Sequence, residues 1–403
     1  MLRILQINAV YGKGSTGIIV KDIHELSLDN RIESFVAYSS ASVREEEIIN
    51  GYQIGNVFGK KAHAFLCRIN GMQGYFSRWS TKKFLRHIDR IQPDVVHLHN
   101  LHSNYIHLNM LLKYLAKKHI KTIVTLHDCW FYTGGCFHYT AAGCDRWLKE
   151  CGACPKKKCD TPAYLLDRSA KVLRDRKKYF SQIKDLTVVG VSEWITREAT
   201  KTVFKGRPAV TIYNGVDTDF FKPTPSNLRE TYGLGEKFVI LGLASKWLSK
   251  VNRETFETVV TALQEDEVLM LIGCTNAQIN ELPNHVIGLP FVTDRDELRK
   301  IYSMADVFVN CTREDTLPFA NLEPQACGTP VITYANTGAK ETVDGISGFA
   351  VETGCPDKII EKIRDIRKTN ITDRKACRAA VLEKFDRRHN YQKYIDLFSS
   401  NGR

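Results

Sequence analysis

The 403-residue sequence lacks any apolar run near the roughly 20 residues that a membrane-spanning helix requires, so it predicts no transmembrane segment. It also lacks low-complexity tracts, a helix-turn-helix motif and an aromatic RNA-binding signature, which argues against a nucleic-acid partner. The opening residues, MLRILQINAV, are too short and too uncharged for a signal peptide, and their alternation indicates a buried first strand. We therefore expect a cytoplasmic protein.

Basic residues outnumber acidic ones, with 57 Lys and Arg against 45 Asp and Glu, and the net charge is +12. Such an excess suits nucleic acid, an anionic membrane surface or a phosphorylated substrate. The cations are spread along the chain, with small clusters at residues 117–118, 156–158 and 174–178. This distribution favours an enzyme in peripheral contact with the inner membrane surface over a nucleic-acid-binding protein.

The chain is too long for one ordinary core and long enough for two domains of about 200 residues each. Both halves alternate apolar strand patterns with helix patterns, which is typical of parallel, doubly wound sheets. Residues 214–228 are rich in turn formers and indicate a linker. We therefore predict an α/β protein with two Rossmann-like domains, 1–218 and 219–385, whose ligands bind at the carboxyl ends of the strands in a cleft.

A glycine-rich loop at residues 12–17, GKGSTG, follows the first predicted strand and fits the pattern G-x-G-x-x-G. A dinucleotide site also needs an acidic residue at the end of the second strand, but that strand ends VAYSSAS. The loop also lacks the Gly-Lys-Ser/Thr ending of a P-loop. Two interpretations remain: the backbone at Gly14, Ser15 and Thr16 meets an anion at a helix start, or the loop is a turn without a ligand.

Residues 310–332, NCTREDTLPFANLEPQACGTPVI, predict a strand, a polar loop and a helix over residues 318–327. Asp315 stands before the helix and Glu323 lies inside it. The backbone N–H groups of Thr316, Leu317 and Phe319 lie near the helix start, where a phosphate binds well. The alternative is a helix cap formed by Asp315 or Thr316.

Six of the 12 cysteines lie within residues 129–159. Cys151 and Cys154 form a C-x-x-C pair, and Cys136 and Cys144 supply a second pair, so we predict one structural zinc ion on these four. Cys159 is the alternative ligand. The competing hypotheses are free thiols, or a disulfide in an extracellular protein.

Histidines follow two neighbouring strands. His97, His99 and His102 follow the first, and His127 and Asp128 follow the second, in TLHDCW. A single histidine is often a structural residue. The strand ends nevertheless make His127, Asp128 and His99 candidate site residues.

These motifs together resemble the retaining glycosyltransferases of the GT-B fold, and in particular the family-4-like enzymes of colanic-acid and exopolysaccharide biosynthesis. The resemblance rests on an acidic residue and a Glu eight positions apart, on Gly-x-Pro-Val after the helix, and on segments in the expected order: INAVYGKGSTG, PDVVHLHNLHSNYIHL, TLHDCWFYTGGC, VGVSEW, YNGVDTDFF and ASKW. It covers nearly the whole chain and implies two Rossmann-like domains, with a cysteine-rich insertion at residues 129–160. It also implies a terminal helix, residues 386–403, that crosses back to the first domain.

The resemblance also implies roles for individual residues. Glu323 would bind the ribose of a nucleotide-sugar donor, and Asp315 would contact the transferred sugar, although Glu314 directly before it could take that place. His127 would contact the donor sugar, and Asp128 and His99 are assigned to the acceptor.

Two cations would meet the leaving diphosphate. The family has an Arg and a Lys here, whereas this chain offers Lys246 and Lys250 in ASKWLSKVN. Negative charge builds on the diphosphate in the transition state, so cations at this position accelerate its departure. The resemblance implies no cofactor for catalysis, and zinc would be structural.

The implied activity is sugar transfer with retention from a nucleotide-diphosphate sugar to a saccharide or lipid-linked saccharide. Two alternatives stay open. One is a sugar-nucleotide epimerase or a phosphorylase of similar architecture. The other is a binding protein that has lost catalysis, suggested by the altered segment at residues 250–252.

Overall fold

The computed structural model describes residues 1–369 and 373–400. The chain divides into two compact units: the first comprises Met1–Tyr213 and the chain from Asn390 onward, and the second comprises Asn214–His389. The predicted terminal helix is present as Arg387–Ser399, while residues 401–403 of the predicted range lie outside the described residues.

The first unit contains a seven-stranded parallel sheet of order β5-β3-β1-β6-β7-β8-β9 and a two-stranded ribbon, β2-β4. Its strands are β1 (Arg3–Ile7), β2 (Val10–Tyr11), β3 (Glu33–Tyr38), β4 (Ser40–Ala41), β5 (Gly51–Gln53), β6 (Val95–Leu98), β7 (Lys121–Leu126), β8 (Leu186–Gly190) and β9 (Ala209–Thr211). Its helices are α1 (Gly14–Asp29), α2 (Val57–Asn70), α3 (Arg78–Ile91), α4 (Leu108–Lys118), α5 (Ser169–Ser181), α6 (Glu193–Ala199) and α15 (Arg387–Ser399).

The second unit contains a six-stranded parallel sheet of order β12-β11-β10-β13-β14-β15. Its strands are β10 (Phe238–Leu243), β11 (Glu267–Ile272), β12 (Val286–Leu289), β13 (Val307–Asn310), β14 (Val331–Tyr334) and β15 (Gly348–Val351). Its helices are α7 (Leu228–Thr231), α8 (Ala244–Trp247), α9 (Arg253–Thr261), α10 (Asn276–Glu281), α11 (Arg295–Met304), α12 (Phe319–Ala326), α13 (Pro356–Thr369) and α14 (Arg374–Phe385).

The central strands of both sheets are buried on both faces, which explains their nearly continuous apolar sequences. All four residues of β6 and of β13 are buried. Helices cover each sheet, and the core of the second unit includes Trp247, Leu269 and Ile363. Because all strands of a parallel sheet run the same way, the loops after β1, β6 and β7 lie along one edge. The prediction of two Rossmann-like parallel sheets is confirmed.

Three local predictions differ from the structure. The basic sequence after the cysteine-rich segment predicts a helix over about residues 163–182, but the helix begins at Ser169, because the Asp167 carboxylate accepts the Ser169 N–H at 2.9 Å and turns the chain there. The sequence pattern also predicts a short helix over residues 338–343, where the structure has a 3-10 turn, Ala339–Thr342. The sequence interpretation places no helix over residues 57–70, where the structure has α2, whose buried residues are His63 and Cys67.

Within the described residues, no helix combines the length and the apolar character needed to cross a membrane.

Candidate functional site

In the second unit, the loop after β13 is held by side-chain amides. Asn310 Nδ2 donates to Asn321 Oδ1 at 2.7 Å, and Asn310 Oδ1 accepts the Thr312 N–H at 3.1 Å. Asn321 in turn donates to Thr342 Oγ1 at 2.8 Å. These buried hydrogen bonds join the strand end to helix α12 and fix the loop between them.

Asp315 lies in the middle of this loop. Its carboxylate accepts the Leu317 N–H at 3.2 Å, and its backbone carbonyl accepts the Gly338 N–H at 3.1 Å. Thr337 Oγ1 contacts both the N–H and the carbonyl of Asp315. The Leu317 amide, expected to meet a phosphate, is therefore bonded within the turn here, while Phe319 opens α12 after Pro318 without a side-chain cap.

Glu323 lies in α12, one and a half turns beyond Pro318. Its Oε2 accepts a hydrogen bond from the Tyr302 hydroxyl of α11 at 3.1 Å. Burial raises the pKa of Glu323 to about 7, although the Tyr302 hydrogen bond and the charge of Arg295 oppose this shift. The carboxyl group thus changes its charge near neutral pH. No sequence signal pointed to Tyr302, which lies 21 residues away.

The two predicted cations occupy different surroundings. Lys246 lies in α8, and its charge acts on Cys311 at the start of the loop. Lys250 is exposed and lines a cavity of about 350 Å³ with Arg253 and Gln278. Of the two predicted cations, Lys246 is therefore the one whose charge acts at the loop after β13.

Arg313 and Asn252 join the two segments, and the sequence interpretation missed both. Asn252 is 2% exposed, and its Nδ2 donates to the carbonyls of Lys246 (3.0 Å) and Cys311 (2.7 Å). Arg313 donates to Asn252 Oδ1 at 2.9 Å and to the Val251 carbonyl at 2.7 Å. The altered residues at 250–252 thus form a hydrogen-bonded turn. Arg313, the one basic residue of the quoted stretch 310–332, was the available signal.

In the first unit, residues 12–17 form a tight turn into α1. Gly12 (φ +68°) and Gly14 (φ +61°) adopt the left-handed conformation that favours glycine. A Cβ on Gly17 would lie 3.1 Å from Val10 Cγ2 and 3.3 Å from the Gly12 nitrogen. Helix α1 starts at Gly14, with Ser15 and Thr16 in its first turn, and has neither a side-chain cap nor an acidic residue there. The conformation of the turn therefore requires glycine at these positions, and anion binding at this helix start stays a prediction.

A buried histidine network follows β6 and β7. His99 Nε2 bonds Gln6 Oε1 at 3.2 Å, and His99 Nδ1 bonds His127 Nε2 at 3.0 Å. Because Gln6 Oε1 only accepts, His99 carries its proton on Nε2 and accepts from His127 Nε2–H. Burial lowers the pKa of His127 to about 4 and holds the pKa of His99 well below its ordinary value, so both rings are neutral at pH 7.

Asp128 extends from the same strand end. Its carboxylate contacts His102 Nε2 at 3.0 Å and accepts the Trp130 N–H at 2.8 Å. Burial raises the pKa of Asp128, but His102 and these hydrogen bonds outweigh burial and lower the pKa below its ordinary value. The structure thus brings His127, Asp128 and His99 together at one edge of the sheet. His97 lies deeper, with Nε2 bonded to Thr125 Oγ1 at 2.7 Å.

The four predicted zinc ligands lie in one region, where the charges of Cys136, Cys144 and Cys154 each act on Cys151. Burial raises the pKa of the Cys136 thiol to about 11 and that of Cys151 to about 12. Among the described residues, no three His, Cys, Asp or Glu side chains are grouped as a metal ion needs. This arrangement does not fit zinc, whose four thiolates must converge on one point. Zinc therefore stays a prediction of the sequence.

Two family models match the chain. The model described as Glycosyltransferase Family 4 matches residues 44–220, and the model described as Glycosyl transferases group 1 matches residues 254–382. WcaC of Escherichia coli strain K12, whose name describes a colanic acid biosynthesis glycosyl transferase, is 23% identical over 363 residues that cover 87% of each chain.

Solved structures share the fold. Sucrose-phosphate synthase from Thermosynechococcus elongatus superposes with a TM-score of 0.71 and 16% identity over 100% of both chains. HepE from Anabaena, solved with UDP, has a TM-score of 0.71 and 15% identity, again over 100% of both chains. The chain belongs to the glycosyltransferases of the GT-B fold. Within them it is a family-4-like member homologous to WcaC, as the motifs predicted.

Proposed function

We propose that this glycosyltransferase moves a sugar, with retention of its anomeric configuration, from a nucleoside-diphosphate sugar to a saccharide or lipid-linked saccharide. The polymer under construction would be of the exopolysaccharide, capsule or O-antigen type. The name of WcaC and the complex of HepE with UDP support this assignment.

The observation that carries the proposal is the loop and helix after β13. Asp315 is clamped at the turn, and Glu323 presents a carboxyl group that ionises near neutral pH. In its ionised form, Glu323 accepts two hydrogen bonds from the adjacent hydroxyls of a ribose. The start of α12 has no side-chain cap and suits a phosphate. Asp315 is assigned to the hydroxyls of the transferred sugar.

The chemistry is a displacement at the anomeric carbon. The bond from this carbon to the diphosphate oxygen breaks, and a bond to the acceptor hydroxyl oxygen forms on the same face. The leaving diphosphate takes the proton of that hydroxyl. Lys246, with Lys250 as the second predicted cation, offsets the negative charge that develops on the diphosphate. Burial lowers the pKa of His127 to about 4, which makes the ring a weak base, and we assign it to hydrogen-bond the donor sugar while the leaving diphosphate takes the proton.

The test measures binding and turnover separately. UDP, GDP and ADP are titrated calorimetrically to find the base, and the matching nucleotide-sugars are then assayed for transfer. We expect Glu323→Ala to weaken nucleotide binding at least tenfold, since a hydrogen-bonded charged partner is lost. We expect Lys246→Ala to lower kcat about a hundredfold with a smaller effect on binding.

The matched control is Lys237→Ala, an exposed lysine directly before β10, at the opposite end of that strand from α8 and Lys246. Normal turnover in both site variants would refute the assignment. An isomerised nucleotide-sugar formed without acceptor would identify an epimerase, and binding without turnover on any acceptor would identify a protein that has lost catalysis. A product anomer inverted relative to the donor would refute retention alone.

A further inference from the structure

A cavity of about 610 Å³ opens in the first unit, where β5 ends and where helices α2 and α3 begin. Its volume lies within the roughly 300–1000 Å³ that is usual for small-molecule sites. None of the residues assigned to the donor or to the acceptor lines this cavity, and none of its described lining residues is acidic. The transfer reaction as proposed therefore gives the cavity no occupant, although its size suits one.

Three cations line the cavity without a compensating negative charge. Lys60 belongs to α2, and Lys83 and Arg86 belong to α3, where their spacing of three residues places them on one face of the helix. Helix α2 contains no acidic residue, and Asp89, the one acidic residue of α3, pairs with Lys118 at 2.6 Å. The described part of the chain gives none of the three cations an ion-pair partner. The cavity is therefore a concentrated positive site that suits an anion.

Aromatic and polar side chains form the rest of the wall. Trp79, in the first turn of α3, is 84% exposed. The ring of Tyr52 stacks on that of His87, with 4.2 Å between ring centres. The amide of Gln53 and the hydroxyl of Ser80 also line the cavity. Sugar rings pack their C–H faces on aromatic rings and bond amides and hydroxyls through their own hydroxyls, so this wall suits a saccharide better than a bare inorganic anion.

The cavity borders the loop that carries a residue assigned to the acceptor. Tyr105 lines the cavity and is 1% exposed, and its hydroxyl donates to the Asn100 carbonyl at 3.1 Å. Asn100 directly follows His99 in the loop after β6. Burial and the charge of Lys13, from the glycine loop, lower the pKa of Lys60. The cavity thus lies near both first-unit loops to which the proposed reaction assigns substrate contacts.

We propose that this cavity recognises an anionic substituent, a carboxylate or a phosphate, on the acceptor saccharide. The sugar ring that carries the substituent packs on Trp79, and Lys60, Lys83 and Arg86 bind the negative charge through charge-assisted hydrogen bonds. This inference rests on the proposed function, which leaves the chemistry of the acceptor open, and it narrows the acceptor to an acidic saccharide. A neutral saccharide would leave three neighbouring cations to repel one another without a counter-charge.

The first experiment measures sugar binding to the full chain without a donor. The probes are methyl β-D-glucuronide, glucose 6-phosphate and the neutral methyl β-D-glucoside, and the signal is tryptophan emission. The other four of the five tryptophans are at most 7% exposed, so the emission reports mainly on Trp79. We expect an anionic sugar to change the emission and to bind roughly tenfold or more tightly than the glucoside, since it gains charge-assisted hydrogen bonds.

The second experiment removes the positive charge of the cavity. The test variant replaces the three cavity cations with glutamine: Lys60→Gln, Lys83→Gln and Arg86→Gln. The matched control removes the same charge from three exposed lysines elsewhere in the first unit: Lys149→Gln, Lys184→Gln and Lys205→Gln. We expect the test variant to bind charged and neutral sugars alike and the control to keep the preference. In transfer assays, the test variant should raise the KM of the anionic sugar roughly tenfold or more, with little change in kcat.

The outcomes separate this inference from the proposed function. Equal binding of charged and neutral sugars by the unmodified chain would overturn the inference, as would an anionic sugar that binds but leaves donor turnover unaffected. Inorganic phosphate that binds as tightly as both anionic sugars would also overturn it, because the sugar ring would then contribute nothing. The two anionic probes distinguish a carboxylate from a phosphate. Nucleotide binding that depends on Glu323, without any binding of anionic sugar, would reject the acidic acceptor and leave the donor assignment standing.

Discussion

At the scale of single residues, the proposed role of Glu323 makes donor binding depend on the protonation of its carboxyl group. A carboxyl group with a pKa near 7 is largely neutral at pH 6 and largely ionised at pH 8. The ionised form accepts from both hydroxyls of a ribose in charge-assisted hydrogen bonds, whereas in the neutral form one of the two oxygens has become a donor. The fold therefore places a titration in the physiological range directly on the proposed donor site.

We accordingly predict that nucleotide affinity rises as pH increases from about 6 to about 8, by roughly tenfold. Calorimetric titration at several pH values measures this change. Glu323→Gln is the control, since the nucleotide's own phosphate titrates equally with both proteins. The ratio of the two affinities should grow with pH, and a constant ratio would disprove the role of this carboxyl group.

The same pKa affects stability. The folded pKa of Glu323 lies above its ordinary value, so the folded state binds more protons between about pH 4.5 and 7, and stability falls as pH rises through that window. We predict that the free energy of unfolding of Glu323→Gln falls by about 1–3 kcal/mol less over this pH range than that of the unmodified protein. Urea unfolding at pH 5 and at pH 8 measures both free energies. Relative to the unmodified protein, the variant should be more stable at pH 8 than at pH 5.

The buried side-chain amide of Asn252 forms hydrogen bonds to three separate groups. It bonds the carbonyls of Lys246 and Cys311 and accepts from Arg313. We predict that Asn252→Ala lowers the free energy of unfolding by about 2–3 kcal/mol, because buried carbonyls lose their donors. Scanning calorimetry should show a melting point lowered by several degrees. Val251→Ala, at a 64% exposed neighbour, should melt normally, and equal effects would contradict this explanation.

At the scale of elements, the glycine turn before α1 allows the effect of backbone strain to be measured without a steric clash. Gly14 has a positive φ, but a Cβ there would meet no atom within 4 Å. We predict that Gly14→Leu costs about 1–2 kcal/mol in backbone strain and impairs transfer far more than nucleotide binding. Comparing kcat with the calorimetric affinity measures this. Gly206→Leu, with φ +76° and an equally open surrounding, is the control for strain alone. Equal losses of nucleotide binding and of transfer in Gly14→Leu would contradict the prediction.

Elements with a strong local period could be predicted from the sequence, and elements defined by partners could not. Apolar runs predict the buried strands, and Pro318 predicts the start of α12. Helix α2 was not predicted, and the structure buries only His63 and Cys67 of its residues. The pairs Tyr302–Glu323 and Asn252–Arg313 join distant segments, and only the folded sheet brings them together. The motif residues were therefore accessible to sequence reasoning, while the contacts that tune their charge were not.

At the scale of the whole molecule, α15 belongs to the first unit although the second unit precedes it in the chain. Tyr394 and Phe398 lie against the His97 ring, at 5.1 and 5.5 Å between ring centres. Lys121 Nζ donates to the Leu397 carbonyl at 2.7 Å. The helix thus completes the covering of β6 and β7, whose far ends carry His99 and His127.

We predict that a chain ending at His389 loses much of the stability of the first unit, since each buried aromatic contributes about 3–5 kcal/mol. Calorimetry should show its transition at a lower temperature, with increased binding of a hydrophobic dye. A chain ending at Ser400 retains α15 and is the control. Unchanged melting of the shorter chain would show that the helix is dispensable.

This placement of α15 has a consequence for synthesis on the ribosome. Domains generally fold in order as they emerge, at about 5–20 residues per second. Here the segment that covers His97 emerges only after the 176 residues of the second unit have been made. For that interval the nascent first unit presents an uncovered sheet face to chaperones and to other nascent chains. Its maturation is therefore coupled to completion of translation, and ribosomal pausing within the second half should lengthen its exposure to aggregation.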